Sequence, residues 1–487
     1  MSNRHRPLKT IEISYVMGCL CLGLVASKYL ILNTLAEVLV AVILICITAI
    51  KTKHLGTSAI AIAALIVGLQ RGSYLLNQLE YYRNNQKRLI TLIGRSENNS
   101  VYTDHSQISF DIKNLRDSSS LSKNIPGRIS IKGFGVPMVY RGDTVEVSGK
   151  LGKGFGSKQA SMTFSSIKII KSSSSIVDKS RSRFEAGLIS TLPEPLASFG
   201  MGLLIGQRST LPKNINDQLT VVGLSHIVAV SGYNLTIIID VSRRLFRKRS
   251  KYQATIMSLL LILLFLMFAG VSASVVRAAA IGVLSLWAWY YGRVFKPLCI
   301  ILLAAAFTSY NNPIYIWSDL GWYLSFLAFF GILIVAPLVT ARIYKDSKPK
   351  LVSLILIDTL SAQLMTAPII MFSFGRFSFI ALIANLLTVP LVPLAMLLCL
   401  ISGVVGVIAA PISGWIALPC RWLLTYMLDI VSALSRLPNA SVQQYVNVTQ
   451  MVLLYGIIFG IVIILWHKQT RSSGIITGIN HLVAGEI

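Results

Sequence analysis

The sequence predicts a polytopic α-helical membrane protein, with about 10–11 transmembrane helices of roughly 20 residues each and an inserted extracytoplasmic, OB-like β-barrel domain. Three observations predict it. Of the 487 residues, 54% are hydrophobic and only 13% are charged, about half the charged fraction of an ordinary soluble domain, and the mean hydropathy is +0.67. Such a composition cannot clothe a soluble surface of this size, and it equally excludes disorder, which needs low hydrophobicity. Long apolar runs recur along most of the chain. One stretch, 87–171, breaks with them and alternates apolar and polar residues in short segments.

The N-terminal part, 1–75, reads as about three transmembrane helices. Arg4, Arg6 and Lys9 precede an apolar run over 11–32. No small-residue cleavage pattern follows, and further runs over 35–50 and 59–69 come at once, so this is an anchor and not a secretory signal. With a cytoplasmic N-terminus, three crossings place the next segment outside.

That segment, 86–172, holds RLITLIGR, QISFDIKNL, GRISIKGF, DTVEVSGKL and MTFSSIKII, each bounded by Gly, Asn, Ser or Pro. These are half-buried strands joined by turns, and five of them suit a small closed barrel of OB type. From 87 to 183 the chain has 17 Lys/Arg and 7 Asp/Glu, a balance of +10. The positive-inside bias does not forbid a basic outer domain, because that bias is set by short loops.

The serine-rich stretch 173–183 reads as a linker, and 184–212 as an interfacial amphipathic helix broken at Pro193 and Pro195. The region 220–467 carries the remaining spans. A tail, 468–487, lies in the cytoplasm. Basic loops at 243–251 and 341–350, and HKQTR after the last span, fix that sidedness. The segment 377–409, with Asn385, Pro390 and Pro393 in it, reads as a crossing preceded by a re-entrant half-helix.

Polar residues at membrane depth are the informative positions, since a charge at mid-bilayer costs about 3 kcal/mol even on insertion scales. They are His226, Ser231, Asn234, Arg277, Asp319, Asp358 and Asn385, with Asp240 and Gln363 as further interruptions. Each could instead serve helix packing or the interface. His226 and Ser231, five apart on one helix, do not share a face, which argues against an intramembrane hydrolase. No nucleotide-binding, hydrolase or metalloprotease motif stands in a suitable context. The six cysteines lie in apolar stretches without metal-ligand spacing. No enzyme activity, metal or cofactor is expected.

The stretch GLSHIVAVSGYNLTIII, 223–239, resembles the central helix of the ComEC family of competence DNA-uptake channels, with Tyr233 and Asn234 where that family usually shows a Leu-His pair. LPEPLASFGMGLLIGQRSTLP, GVSASVVRAAAIG and DLGWYLSFLAFFGIL fit the same family in order, and YRGDTVEVSGKL is similar to the last strands of its external domain. The resemblance implies an inner-membrane channel that carries single-stranded DNA into the cytoplasm during natural transformation. It also implies a form without the family's metallo-β-lactamase-like domain, so that a separate nuclease would degrade the other strand. A cytoplasmic ATP-driven helicase or translocase and an extracytoplasmic DNA-receptor protein are the implied partners, beside membrane lipids and a homo-oligomeric partner copy.

A basic outer domain can concentrate a DNA strand by counterion release, and OB-type barrels combine a basic groove with aromatic platforms. The candidate groove residues are Arg128, Lys132, Arg141, Lys150, Lys153 and Lys158, with Phe134, Tyr140 and Phe155 as stackers. The glycine-rich loop 149–158 is the favoured part. His226, Asn234 and Arg277 would line the path for phosphates. A secondary transporter or lipid-linked glycan carrier is the competing reading, but no internal repeat supports it.

Overall fold

The computed structural model describes residues 10–29, 56–103, 107–117, 120–134, 138–173, 175–207, 211–228, 235, 250–269, 273–292, 296–344, 349–438 and 440–472. The chain divides into two compact units, Met1–Ser182 with Ala305–Leu320, and Arg183–Ala304 with Gly321–Ile487.

In the first unit, α1 (Thr10–Ala26) packs on α2 (Gly56–Asn84). Gly68 and Gly72 of α2 lie against the α1 backbone and the buried Ser27, so a side chain at either glycine would collide. This small-xxx-small spacing lets two apolar helices approach closely. The expected second run, 35–50, lies outside the described residues. The third run is longer than its 59–69 apolar stretch suggested: α2 continues to Asn84, past Arg71. Arg71 is held there by the carbonyls of Tyr310 and Asn311, at 3.0 and 3.1 Å, and lies over the rings of Tyr74 and Tyr310. Trp317, on the short helix α10 (Ile314–Ser318), donates its indole N–H to Leu24 O at 2.6 Å.

The five expected strands are present as β1 (Leu89–Ser96), β3 (Gln107–Asp117), β4 (Ser120–Phe134), β5 (Thr144–Lys153) and β6 (Ala160–Lys171). A three-residue strand, β2 (Val101–Thr103), pairs on β3. The ladder runs β1-β5-β6-β4-β3, and β1 pairs with β3 to close a five-stranded barrel. Only the β4–β6 ladder among these is parallel. Period-2 alternation sends Ile108, Phe110, Ile112, Ile129, Ile131, Val145, Val147 and Leu151 into the core. Tyr82, still on α2, belongs to the same core and bonds Pro126 O at 2.8 Å.

The serine-rich stretch is not an open linker. From Ile176 it is helical, as the start of α3 (Ile176–Thr191), and it is pinned to the barrel. Asp143 accepts from Ser173 N at 2.8 Å, and Asp178 accepts from Ser173 Oγ at 2.7 Å while lying 3.6 Å from Arg95. Serines here bond locally and to acids, so composition alone misread them. The expected interfacial helix over 184–212 also resolves differently. After α3, the helix α4 (Leu196–Ile205) buries nine of its ten residues. An all-round apolar helix of this kind is core and not an amphipathic surface element.

In the second unit α3, α4, α5 (Lys213–Val221) and α6 (Ser225–Val228) share a core with α15 (Val392–Ile408) and α17 (Leu418–Ser435). The unit also holds α7 (Lys251–Ala269), α8 (Ala273–Tyr290), the start of α9 (Pro297–Asn311), α13 (Leu351–Phe374), α14 (Ala381–Thr388), α16 (Ala410–Ile416) and α18 (Val448–Ser472). Helices α11 (Leu320–Phe330) and α12 (Ala336–Tyr344) are joined by a π-helical turn, Gly331–Val335, whose Gly331 packs on Ser361 and Ala362. A short antiparallel strand pair, β7 (Arg376–Ser378) with β8 (Ser441–Gln443), is tied to α13 by Gln363.

Five helices among the described residues are long and apolar enough to cross a membrane: Ala59–Asn84, Leu320–Tyr344, Leu351–Phe374, Ala381–Ile408 and Val448–Lys468. Shorter apolar helices include Ile11–Ala26, Lys251–Met267, Val275–Tyr290 and Pro297–Asn311. The architecture is that of a multi-pass membrane protein with a small β-barrel. The segment expected to contain a half-helix runs as one 28-residue helical stretch, Ala381–Ile408. Pro390 and Pro393 fall in the first turns of a 3-10 segment and of α15, where a missing N–H breaks no bond.

Candidate nucleic-acid interface

The outer face of β3, β4, β6 and β5 is built by register. Ser109 pairs with Lys132, Asp111 with Ser130, Ser130 with Ser161, and Thr163 with Lys150. Gln107 pairs with Phe134 at the end of the same face. Lys132 and Lys150 thus flank β6, two strand spacings or roughly 10 Å apart, among short hydroxyl side chains.

A bulge supplies the second aromatic. Between Ile131↔Met162 and Gly133↔Ser165, β6 has one residue more than β4, and Phe164 takes a φ of 55°. Thr163 and Phe164 therefore both face outward. Phe164 is 75% exposed and stacks on Phe134, 44% exposed, with centroids 5.8 Å apart and planes at 30°. Strict alternation would have turned Phe164 inward two residues after the buried Met162, which is why the sequence reading passed over it. A residue with φ above zero in a strand is the mark of such a bulge, and only the backbone shows it.

The other predicted groove residues divide. Lys153 is exposed at the end of β5, and Phe155, 83% exposed, stands at the tip of the glycine-rich loop, whose Gly156 O accepts from Ser318 Oγ at 2.9 Å. Three predicted cations are engaged by acids. Arg128 lies 3.3 Å from Glu97, Lys158 lies 2.6 Å from Asp111, and Arg141 lies 4.0 Å from Asp178. Tyr140 and Arg141 occupy the turn before β5, where their backbone N–H groups bond Asp143 and Asn99. The strand after that turn begins at Thr144, opposite Lys171. Lys171 is seven residues, about 23 Å at strand rise, along β6 from Phe164. The aromatic pair, Lys132 and Lys150 are brought together. Tyr140 and Arg141 are not with them.

The predicted membrane-depth residues stand on separate elements. Arg277, on α8, is 3% exposed and donates from Nη2 to Gly321 O at 2.9 Å. His226 lies on α6, with Nδ1 3.1 Å from Gly223 O. Asp319 ends α10, Asp358 lies on α13, and Asn385 on α14 has a buried Oδ1 with no hydrogen-bond partner among the described residues. Ser231 and Asn234, and Asp240, lie outside the described residues. Among the described residues no group of three or more His, Cys, Asp or Glu could hold a metal.

Residues 203–469 match the model of the family described as Competence protein. The chain belongs to that family. The matched part takes in most of the helical unit together with Ala305–Leu320 of the first, and the barrel precedes it. Among curated relatives, ComE operon protein 3 of Bacillus subtilis (strain 168) is 28% identical over 221 residues, 44% of this chain and 27% of the relative. The matched part thus spans about a quarter of that relative's length. No solved structure matches.

Proposed function

We propose that this competence protein family member carries single-stranded DNA across the cytoplasmic membrane during natural transformation, without covalent chemistry on the strand. The observation that supports the reading most is the exposed Phe134–Phe164 stack flanked by Lys132 and Lys150, on a barrel joined to a helical part of the competence family. Aromatic faces stack bases of any sequence, and lysines follow the phosphates. A closed five-stranded barrel with one parallel ladder is in keeping with an OB-type domain.

In this reading the barrel is extracytoplasmic and the N-terminus cytoplasmic, as the basic short loops favour. His226, Ser231, Asn234 and Arg277 are assigned to the strand's path, with Asp319, Asp358 and Asn385 as further path positions. An ATP-driven translocase inside and a DNA receptor outside would work with it.

The test is uptake of labelled DNA by transformable cells in which the native copy is deleted and replaced. Wild type should restore internalised DNA, and the Phe134→Ala/Phe164→Ala double variant should leave DNA bound at the surface but not inside. Full uptake by the deletion strain, or by the double variant, would sink the proposal.

A further inference from the structure

A polar cavity of about 640 Å³ opens beside the barrel, lined by Gln78, Arg95, Asn114, Arg116, Gly127 and Thr144 among others. Its size is that of a small-molecule site. Bulges make it. The closing β1–β3 ladder skips register between Ile93 and Arg95, and β3 does so against β4 between Lys113 and Leu115, where Asn114 takes a φ of 54°. The seam is thereby held open, and two arginines are re-aimed along it. No carboxylate is among the ten lining residues. Of the neighbouring acids, Asp178 lies 3.6 Å from Arg95 Nη2 and takes Ser173 Oγ, opposing part of that guanidinium's charge, and Asp117 accepts from Tyr81. Arg95 Nε also donates to Gly142 O at 3.0 Å, which fixes the guanidinium in place.

The depth of the cavity says what could fill it. Arg71, Tyr74, Tyr310 and Trp317 form an aromatic and basic girdle in this unit, of the kind found at a membrane–water boundary. Gln78 follows Tyr74 by four residues on the same helix, about 6 Å at helical rise. That is the depth of lipid headgroups, which occupy some 5–8 Å beyond each face of the hydrocarbon.

We propose that this cavity seats the phosphate of an anionic phospholipid headgroup. Arg95 and Arg116 supply the charge, and Gln78, Asn114 and Thr144 the orienting polar groups. Planar guanidinium groups suit a phosphate's paired oxygens. Such a site would fix the barrel's orientation on the membrane surface.

The experiment uses full-length protein in mild detergent and native mass spectrometry with phosphatidylglycerol as the probe. Diacylglycerol of the same chains is the control, and inorganic phosphate and a single-stranded oligonucleotide are competitors. Wild type should retain phosphatidylglycerol and not diacylglycerol, and Arg95→Gln/Arg116→Gln should retain it about tenfold less. Gln78→Glu, which leaves both arginines and their bonds in place, should show a similar loss. If the double variant unfolds by circular dichroism, the Gln78→Glu result decides. Equal retention by wild type and Gln78→Glu overturns the proposal. Displacement of the lipid by millimolar phosphate, or by stoichiometric oligonucleotide, also overturns it, giving the cavity to free phosphate or to nucleic acid.

Discussion

Replacing Phe134 or Phe164 with alanine should weaken single-stranded oligonucleotide binding by about 1–3 kcal/mol per lost stacking platform, with tryptophan at either position restoring it. Fluorescence anisotropy on the purified full-length protein measures this. Lys132→Ala/Lys150→Ala should instead flatten the salt dependence, lowering the slope of log K against log salt by about 1.4, or 0.7 per phosphate contact on a single strand. Arg128→Ala should change that slope little, because Glu97 already opposes the guanidinium at 3.3 Å. At this scale the sequence shows which of these residues share a face of the barrel only in part. Lys132, Lys150 and Phe134 were legible from alternation alone. Phe164 was not, because a single extra residue in β6 reverses the pattern. Nor could the pairing of Arg128, Lys158 and Arg141 with acids be read, since each partner is remote in sequence.

Helix α3 shows how an element's neighbours decide its character. Gly187 lies against the Gly403 carbonyl, and Gly406 against the backbone of Gly187, so α3 and α15 approach backbone to backbone there, with Val407 and Thr191 beside the contact. Gly187→Val should force the pair apart and destabilise the helical unit by about 1–3 kcal/mol, lowering its thermal midpoint in detergent. Oligonucleotide binding at the outer face of the barrel should be unchanged. Within the barrel, Gly142→Ala should loosen the joint with α3, because φ is +92° and a methyl there meets Asp178 and Ser173. Faster proteolysis after Lys171 would report it. The five strands were legible because alternation and turn residues are local signals. The fate of 173–212 was not: serine content and proline spacing are local too, but what buries α4 is packing against α15 and α17, far along the chain.

For the whole molecule, the boundary between membrane part and barrel is not where composition changes. The alternating pattern begins near Leu89, yet Tyr82 is buried in the barrel's core, with Leu79 and Tyr81 packed beside it. A fragment begun at residue 86 should bind hydrophobic dyes and aggregate, and Tyr82→Ala in the full chain should cost about 3–5 kcal/mol, as for other large aromatic truncations. A monomeric, dye-silent fragment lacking Tyr82 would contradict this. The residue that completes the barrel is thus delivered by a helix that must first settle in the bilayer. Insertion of the helix and completion of the barrel become one event in biogenesis. A copy whose α2 is misplaced keeps an unfinished apolar mouth, open to proteolysis and aggregation.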